Sequence, residues 1–507
     1  MMRLSEVHDY LQTKGIFATL IGDSEILGVS SDSRSVSQGD LFAALPGLTV
    51  DGNKFALDAK NSKASAILTS TKNNIFESQL IVEDVRLALG IVSEFIFHSR
   101  VSEQFAVGVT GTNGKTSICY LLAQSIAQLE GKGVYVGTLG FTAVNANKKH
   151  EPLTEGKNTT PDSTDFHRFL SKHQDSKGFA VELTSIALEQ KRLTALDLDV
   201  AVFTNFTRDH LDFHKTEENY FAAKKLLFTR ELLSSSKPKK IAVLNFQDER
   251  IREFASELEG LPIQVWAYSV NEDLETDFRQ LKLINPQLSS AGINFEIEFD
   301  GQRAVIQSEL FGRYNLENLL ATVTTLVALG FSLERISKIV PKLTGVPGRV
   351  QKVTIEETAI PTVLVDYAHT PDALEKALTS AREFSTGKLI TIFGCGGDRD
   401  KGKRPIMAAV ASRLSDLTVL TSDNPRTENP DSIIADASKG LLPGKPSLSI
   451  ADRKEAIFSA IAQATPLDTV VIAGKGHEPY QEINGIRHRF LDEEVARDAL
   501  KMTFKTT

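Results

Sequence analysis

Phe105-Ala106-Val107-Gly108-Val109-Thr110-Gly111-Thr112-Asn113-Gly114-Lys115-Thr116 reads as an apolar strand entering a glycine-bearing loop, with an apolar helix following from about Ile118. Glycines let backbone N–H groups close around phosphate oxygens, and a helix N-terminus adds positive potential. Lys115 reaches the terminal phosphates, and the Thr116 hydroxyl can bind Mg²⁺. The usual P-loop spacing wants a glycine where Val109 stands, and Gly108 comes one residue early. Gly-Lys-Thr between a strand and a helix still favours a nucleoside triphosphate loop over a mere turn. The candidate ATP contacts are therefore Thr110, Gly111, Thr112, Asn113, Gly114, Lys115 and Thr116.

From this stretch onward, buried strands alternate with helices: 134–138, 179–183, 200–204 and 241–244. Such alternation requires crossover connections and a parallel sheet. After an excursion past Leu244, Ile293, Phe295, Ile297 and Phe299 alternate with polar residues up to Asp300-Gly301, which predicts an antiparallel hairpin attached to the parallel core. A helix from about Asn315 follows, and Val346-Pro347-Gly348-Arg349 marks a domain junction. Beyond it the α/β theme repeats, with strands near 362–366, 389–393, 418–421 and 469–473. Residues 1–98 carry short strands such as Leu41-Phe42-Ala43-Ala44-Leu45, broken at Pro46-Gly47 and Asp51-Gly52, and read as a small α/β domain. A chain of 507 residues is too long for one core, and three α/β domains are expected, 1–98, 99–345 and 346–507.

Lys+Arg number 57 against 65 Asp+Glu, a formal net charge of −8, which argues against a nucleic-acid binder and requires any anionic ligand to be held by a local site. Cys119 and Cys395 are the two cysteines, too few for a disulfide framework, so the reducing cytoplasm is the expected compartment. The opening Met1-Met2-Arg3-Leu4-Ser5-Glu6 is unlike a signal peptide, and no apolar run is long enough to span a membrane. There is no internal repeat. Ser234-Ser235-Ser236-Lys237-Pro238-Lys239-Lys240 is the most linker-like segment and reads as a solvated loop.

Mg²⁺ needs further ligands near the phosphates. Glu182 ends an apolar strand, where a carboxylate is costly unless paired or metal-bound; a metal ligand and a buried salt bridge are the two readings. Thr204-Asn205-Phe206-Thr207-Arg208-Asp209-His210-Leu211-Asp212-Phe213-His214 follows the next strand, and its density of His and Asp points to a metal or catalytic loop with His210 as the candidate. Lys224 and Lys225 lie in a helical run where periodicity alone puts both on a solvated face.

Three loops follow three strands of the last domain: Gly394-Cys395-Gly396-Gly397-Asp398-Arg399, Ser422-Asp423-Asn424-Pro425-Arg426 and Gly474-Lys475-Gly476-His477-Glu478. Ligands of open parallel sheets collect at the carboxyl ends of strands, so these loops can form one pocket. Arg399 and Arg426 offer forked donors for carboxylates and Glu478 can receive an ammonium. Singly each is a surface charge; together they favour a zwitterion site.

The P-loop, the Thr204-Asn205 to His214 segment and Asp366-Tyr367-Ala368-His369-Thr370-Pro371 together resemble the Mur ligases of bacterial peptidoglycan synthesis, over almost the whole chain. The resemblance implies a uridine-diphosphate-binding N-terminal domain, a central ATPase domain and a Rossmann-like C-terminal domain that brings an amino acid. It implies ATP-dependent amide-bond formation through an acyl phosphate, with UDP-N-acetylmuramoyl-dipeptide as acceptor and meso-diaminopimelate as the added residue. Ser33, within Ser31-Asp32-Ser33-Arg34, and Gly39-Asp40-Leu41-Phe42 match nucleotide-sugar segments; Asn158, Thr159, Thr160, Ser185 and Arg192 match acceptor contacts. Asn315, Arg349 and Asp366 match further ATP contacts, and Asp423, Asn424, Pro425 and Arg426, with Gly474 and Glu478, match the diaminopimelate site. Lys224 matches a carbamylated lysine that holds a second Mg²⁺, which would complete a metal set of Thr116, Glu182, His210 and Lys224, with Lys115, Glu182, His210 and Lys224 catalytic. Ile186 and Asn53 depart from the family pattern, each standing where a His is common. A monomer is expected, with hinge motion near the 346–349 junction. The rival readings are a lysine-adding relative, a folylpolyglutamate-type synthetase, or a P-loop nucleotide switch.

Overall fold

A computed structural model describes residues 2–504 apart from 48–49, 148–153, 155, 157, 272–273, 290 and 357–358. Valine- and alanine-rich runs with no polar face, such as Phe105–Thr110, Val200–Phe203 and Ile241–Asn245, become the inner strands of an eight-stranded sheet. Strands covered on both faces by helices need this composition. The order is Gly140–Asn145, Lys132–Gly137, Gly178–Glu182, Phe105–Thr110, Val200–Phe203, Ile241–Asn245, Gln264–Tyr268, Arg279–Gln280, parallel except for the first strand. From Phe105–Thr110 the chain passes to one side and later to the other. The P-loop therefore sits at the point where strand order reverses, the usual ligand position in an open α/β sheet.

The excursion expected after Leu244 is in part a continuation of this sheet: helix Glu249–Glu257 crosses over to the parallel strand Gln264–Tyr268. The expected hairpin supplies two strands, Gly292–Phe299 and Gln302–Ser308, of a three-stranded sheet whose third strand is Lys282–Ser289. Asp300 and Gly301 adopt φ of +49° and +76°, two successive positive values that match a two-residue turn to strand twist.

A five-stranded sheet is built from the first 82 residues, in the order Ala18–Ile21, Gln79–Val82, Ala66–Thr69, Asp40–Ala43, Gly28–Ser30, with the first strand antiparallel. Helix Val85–Phe97 covers it, and at Gly90 this helix meets Thr194, whose Oγ1 would lie 2.1 Å from an added Cβ. Gly90→Ala is expected to lower the unfolding free energy by about 1–3 kcal/mol through overpacking, read from a shifted urea midpoint; an unchanged midpoint would show that this seam yields freely.

A second compact unit includes residues 344–507. Its six-stranded sheet runs Gln351–Val353, Thr362–Asp366, Thr469–Ala473, Leu389–Cys395, Leu417–Ser422, Ser447–Ser449, all parallel except the antiparallel first edge. Cys395 is the last residue of a strand rather than part of a loop, and both cysteines are buried and free. The serine-rich segment at 234–240 is not a free linker, because Ser235 Oγ, Ser236 N and Ser236 Oγ all donate to the Asp197 carboxylate. Among the described residues, no helix is long and apolar enough to cross a membrane.

Candidate active site

The chain leaves Thr110, turns at Gly111 (φ +146°) and again at Gly114 (φ +85°), and starts the helix Lys115–Glu130, three residues earlier than the apolar pattern suggested. A Cβ on Gly111 would stand 1.9 Å from Thr204 Oγ1, so glycine alone lets the loop pass this close to the next strand end. Asn113 N donates to Asn205 Oδ1 at 2.9 Å, and Thr204 Oγ1 donates to Asn113 O at 2.5 Å, fastening the two loops together. Lys115 Nζ curls back over the loop to donate to Gly111 O (2.8 Å) and Thr112 O (3.0 Å).

Glu182 is fully buried, and the sequence left open what compensates its charge. Among the described residues, hydroxyl and amide donors do so rather than a basic side chain. Oε1 accepts from Tyr135 OH (2.7 Å) and Thr138 N (2.9 Å), and Oε2 accepts from Thr116 Oγ1 (3.0 Å) and Thr138 Oγ1 (3.2 Å). Four donors satisfy the carboxylate without a salt bridge. The arrangement brings the P-loop threonine and the acidic strand end together, as a metal site at the phosphates requires.

Lys224 is not on a solvated face. It is 1% exposed on the helix Glu217–Leu226, its Nζ donates to Gly111 O at 2.8 Å, and it lies 4.4 Å from the centre of the Tyr220 ring. Burial, helped by the Lys115 charge, holds its amine well below the usual lysine range. Lys225 keeps a half-exposed setting, paired with Glu257 over the Phe254 ring. His210 occupies a left-handed position (φ +51°) with Nε2 3.6 Å from Asp209 Oδ2, and its ring meets Tyr220 edge-on. His214, not singled out from sequence, is buried with Nε2 2.9 Å from Ser185 Oγ and Nδ1 3.1 Å from Glu189 Oε2, the latter without hydrogen-bond geometry. Burial pushes its imidazole below the usual value. Its position at the end of the His-rich segment was legible; its partner 29 residues earlier was not.

The acceptor candidates adjoin this centre. Thr160 Oγ1 donates to Glu182 O at 2.8 Å, and Thr159 Oγ1 lies 3.4 Å from Thr138 Oγ1. Arg192 Nη1 donates to Thr160 O at 3.4 Å. Ser31 Oγ donates to Asp162 Oδ2 at 2.8 Å, tying the Ser31 to Ser33 segment to the loop after Thr160. Asn158 is exposed. Ile186 is half-buried, and Asn53 accepts from Thr69 Oγ1 at 3.0 Å, a structural hydrogen bond within the first sheet's loops.

In the second unit, Asp366 Oδ1 accepts from Ala368 N (2.7 Å) and Oδ2 from Val350 N (2.8 Å), while burial pushes its carboxyl up and Arg349 pulls it back. Arg349 Nε and Tyr314 OH are buried with no hydrogen-bond partner among the described residues, and Asn315 Nδ2 donates to Phe311 O at 2.8 Å. Two orphaned donors beside a carboxylate fit a polar ligand such as a nucleotide. The three predicted loops do meet. Asn424 Nδ2 donates to Glu478 Oε2 (2.8 Å), Lys475 Nζ donates to the same oxygen (3.2 Å), and Arg426 Nη1 donates to Gly397 O (2.7 Å). A Cβ on Gly474 would lie 2.6 Å from Asp423 Oδ2, and one on Gly396 would lie 3.0 Å from Arg426 Nη1 and 3.7 Å from Arg399 Cγ. Burial pushes the Asp423 carboxyl up, with Arg453 and Lys475 opposing.

Among the described residues, no group of three or more His, Cys, Asp or Glu side chains is assembled to hold a metal. The residues present fit Mg²⁺ only as a partial set, a hydroxyl and a carboxylate in contact, which matches an ion that keeps waters and takes phosphate oxygens for its remaining positions.

Three family profiles match the chain: the Mur ligase family catalytic domain over residues 25–111, the Mur ligase middle domain over 109–326, and the Mur ligase glutamate ligase domain over 348–476. A UDP-N-acetylmuramoyl-L-alanyl-D-glutamate–2,6-diaminopimelate ligase of Pseudomonas putida (strain KT2440) is 41% identical over 504 residues, covering 96% of this chain and 97% of that protein. A protein of the same description from Haemophilus influenzae (strain PittGG) is 41% identical over 496 residues, covering 95% and 98%. A solved structure with that description superposes with a TM-score of 0.70 at 35% identity, covering 95% of this chain and 96% of the other.

Proposed function

Because this chain belongs to the Mur ligase family, we propose that it joins meso-diaminopimelate to the D-glutamate side-chain carboxylate of UDP-N-acetylmuramoyl-L-alanyl-D-glutamate at the expense of ATP. One observation carries the reading. Thr116 on the nucleotide side and Thr138 both donate to Glu182 Oε2, and Thr138 Oγ1 lies 3.4 Å from Thr159 on the acceptor side. A phosphate held by the P-loop and a carboxylate held by Thr159 and Thr160 would then share one acidic strand end, the proximity that phosphoryl transfer needs.

In the first step a carboxylate oxygen of the acceptor bonds to the γ-phosphorus, the bond to the bridging oxygen breaks, and its electron pair leaves with ADP. The acyl phosphate has a good leaving group where the carboxylate had none. The amine of diaminopimelate then attacks the carbonyl carbon, inorganic phosphate departs, and the nitrogen gives up a proton. Lys115 and the loop amides neutralise charge spreading over the phosphoryl oxygens, and His210 adds a second polar group to the same face. Mg²⁺, held through Thr116 and Glu182, supplies further charge neutralisation when bound. We assign Lys224 as the site of a carbamate: its amine, kept neutral by burial, adds CO₂ and releases one proton, turning a buried base into a carboxylate.

The same proposal gives residues 1–98 to the uridine-diphosphate end of the acceptor, 99–345 to ATP and 346–507 to the amino acid, with the reaction in the cytoplasm, where the buried free thiols of Cys119 and Cys395 stay reduced. Asn315, Arg349 and Asp366 are the nucleotide contacts proposed from the second unit, and Arg399, Arg426 and Glu478 hold the zwitterion. Phosphate release is expected to require ATP, the UDP-sugar dipeptide and diaminopimelate together. Release at the same rate without amino acid would identify a nucleotide switch instead.

A further inference from the structure

Arg426 sits in the left-handed region at φ +50°, where a non-glycine residue needs outside support. That support is a hairpin, Tyr480–Ile483 paired with Ile486–Arg489 and closed by Asn484-Gly485, both with positive φ (+50° and +76°). Asn-Gly is the dipeptide that closes a two-residue hairpin in a fixed register. The hairpin grips the Asp423 to Arg426 loop at every residue except the proline. Gln481 Nε2 donates to Asp423 O (2.7 Å), Glu482 N to Asn424 Oδ1 (2.9 Å), Arg426 N to Glu482 O (3.0 Å) and Asn484 N to Arg426 O (2.6 Å). The result is a parallel bridge between Arg426 and Ile483.

We propose that this hairpin is the template that fixes the direction of the Arg426 guanidinium, with Gln481 as a positioning residue for amino-acid selection. The inference rests on the reading of Arg426 as the partner of a substrate carboxylate. A guanidinium fork recognises a carboxylate only at a set angle; Gly397 O holds Nη1 directly, and the backbone that carries the side chain is held on both sides of Arg426 by the hairpin. Asn424 ties the device to the other end of the zwitterion, since its Oδ1 accepts from Glu482 N while its Nδ2 donates to Glu478, the proposed ammonium partner. One hairpin therefore sets both the cation and the anion that face the substrate.

The test is Gln481→Met, which keeps side-chain length and removes the donor, measured beside Arg426→Ala and the double variant. Gln481→Met is expected to raise the KM for diaminopimelate about 5–20-fold, with kcat and the KM values for ATP and the UDP-sugar dipeptide within about twofold of the parent, while Gln481→Asn recovers part of the loss. In the Arg426→Ala background the same substitution is expected to add little, because the group it aims is gone. Equal increases in all three KM values, or full additivity in the double variant, would make Gln481 merely structural and overturn the proposal. A clear Arg426→Ala effect with no Gln481→Met effect removes the template alone, whereas no Arg426→Ala effect removes the site reading beneath it as well. If Gln481→Met fails to fold, Gly485→Val, which strains the positive-φ turn at a position where an added Cβ meets no neighbour within 4 Å, gives the same comparison.

Discussion

Lys224→Met is expected to cut kcat by about 10²–10³-fold, the range found when one preorganised charge-stabilising group is removed from a transition state, while the protein stays folded. The side chain is 1% exposed, and methionine, an unbranched chain of similar size, fills the space without burying a charge. What it loses is one hydrogen bond to Gly111 O, a matter of about 1 kcal/mol. Stability loss therefore cannot account for the expected fall in rate. The distinction between a lysine that acts as a cation and one that acts through a carbamate comes from Lys224→Glu. A carbamate role predicts partial recovery, because glutamate restores an anionic oxygen pair at nearly the same reach; a cation role predicts a further loss beside the phosphates. The second Mg²⁺ that the carbamate would hold gives another readout, a steeper Mg²⁺ requirement in Lys224→Met than in the parent. Undiminished kcat in Lys224→Met would remove Lys224 from the mechanism.

The parts of this fold that announce themselves in sequence are those governed by local rules. Buried parallel strands need continuous apolar runs, and Phe105–Thr110, Gly178–Glu182 and Val200–Phe203 were visible for that reason. The P-loop was visible because φ values of +146° and +85° call for glycine at two places in a short loop. Lys224 shows the opposite case. Its helix carries two adjacent lysines, of which sequence gives the buried one no distinct mark, and the residue that receives its hydrogen bond is 113 positions away. The compensation of Glu182 by Tyr135, Thr138 and Thr116 was equally invisible, since the hydroxyl donors are drawn from a strand end with its turn and from a helix, both distant in sequence from Glu182. The Asn484-Gly485 hairpin is different again. Its signal was in plain sight, but its meaning depends on the pairing of Arg426 with Ile483, which only the tertiary structure supplies.

Arg426→Ala is expected to lower kcat/KM for diaminopimelate by about 30–150-fold, with the KM for ATP unchanged. Breaking a buried hydrogen-bonded charge pair costs about 2–5 kcal/mol, and the half-buried setting of Arg426 places the effect at the lower end, about 2–3 kcal/mol after solvent screening. Arg426→Lys should fall between parent and alanine, because an ammonium keeps the charge but loses the two-pronged geometry. Lysine as substrate sharpens the argument. It lacks the second carboxylate, so it draws no binding energy from the guanidinium, which keeps its Gly397 O partner in the parent whether or not lysine is bound. The diaminopimelate-to-lysine preference should therefore collapse mainly through loss of diaminopimelate use, with lysine use little changed. A variant that keeps the parental preference, measured by amide product formed from each amino acid in competition, would show that selection lies elsewhere in the three loops, with Arg399 the next cation to replace.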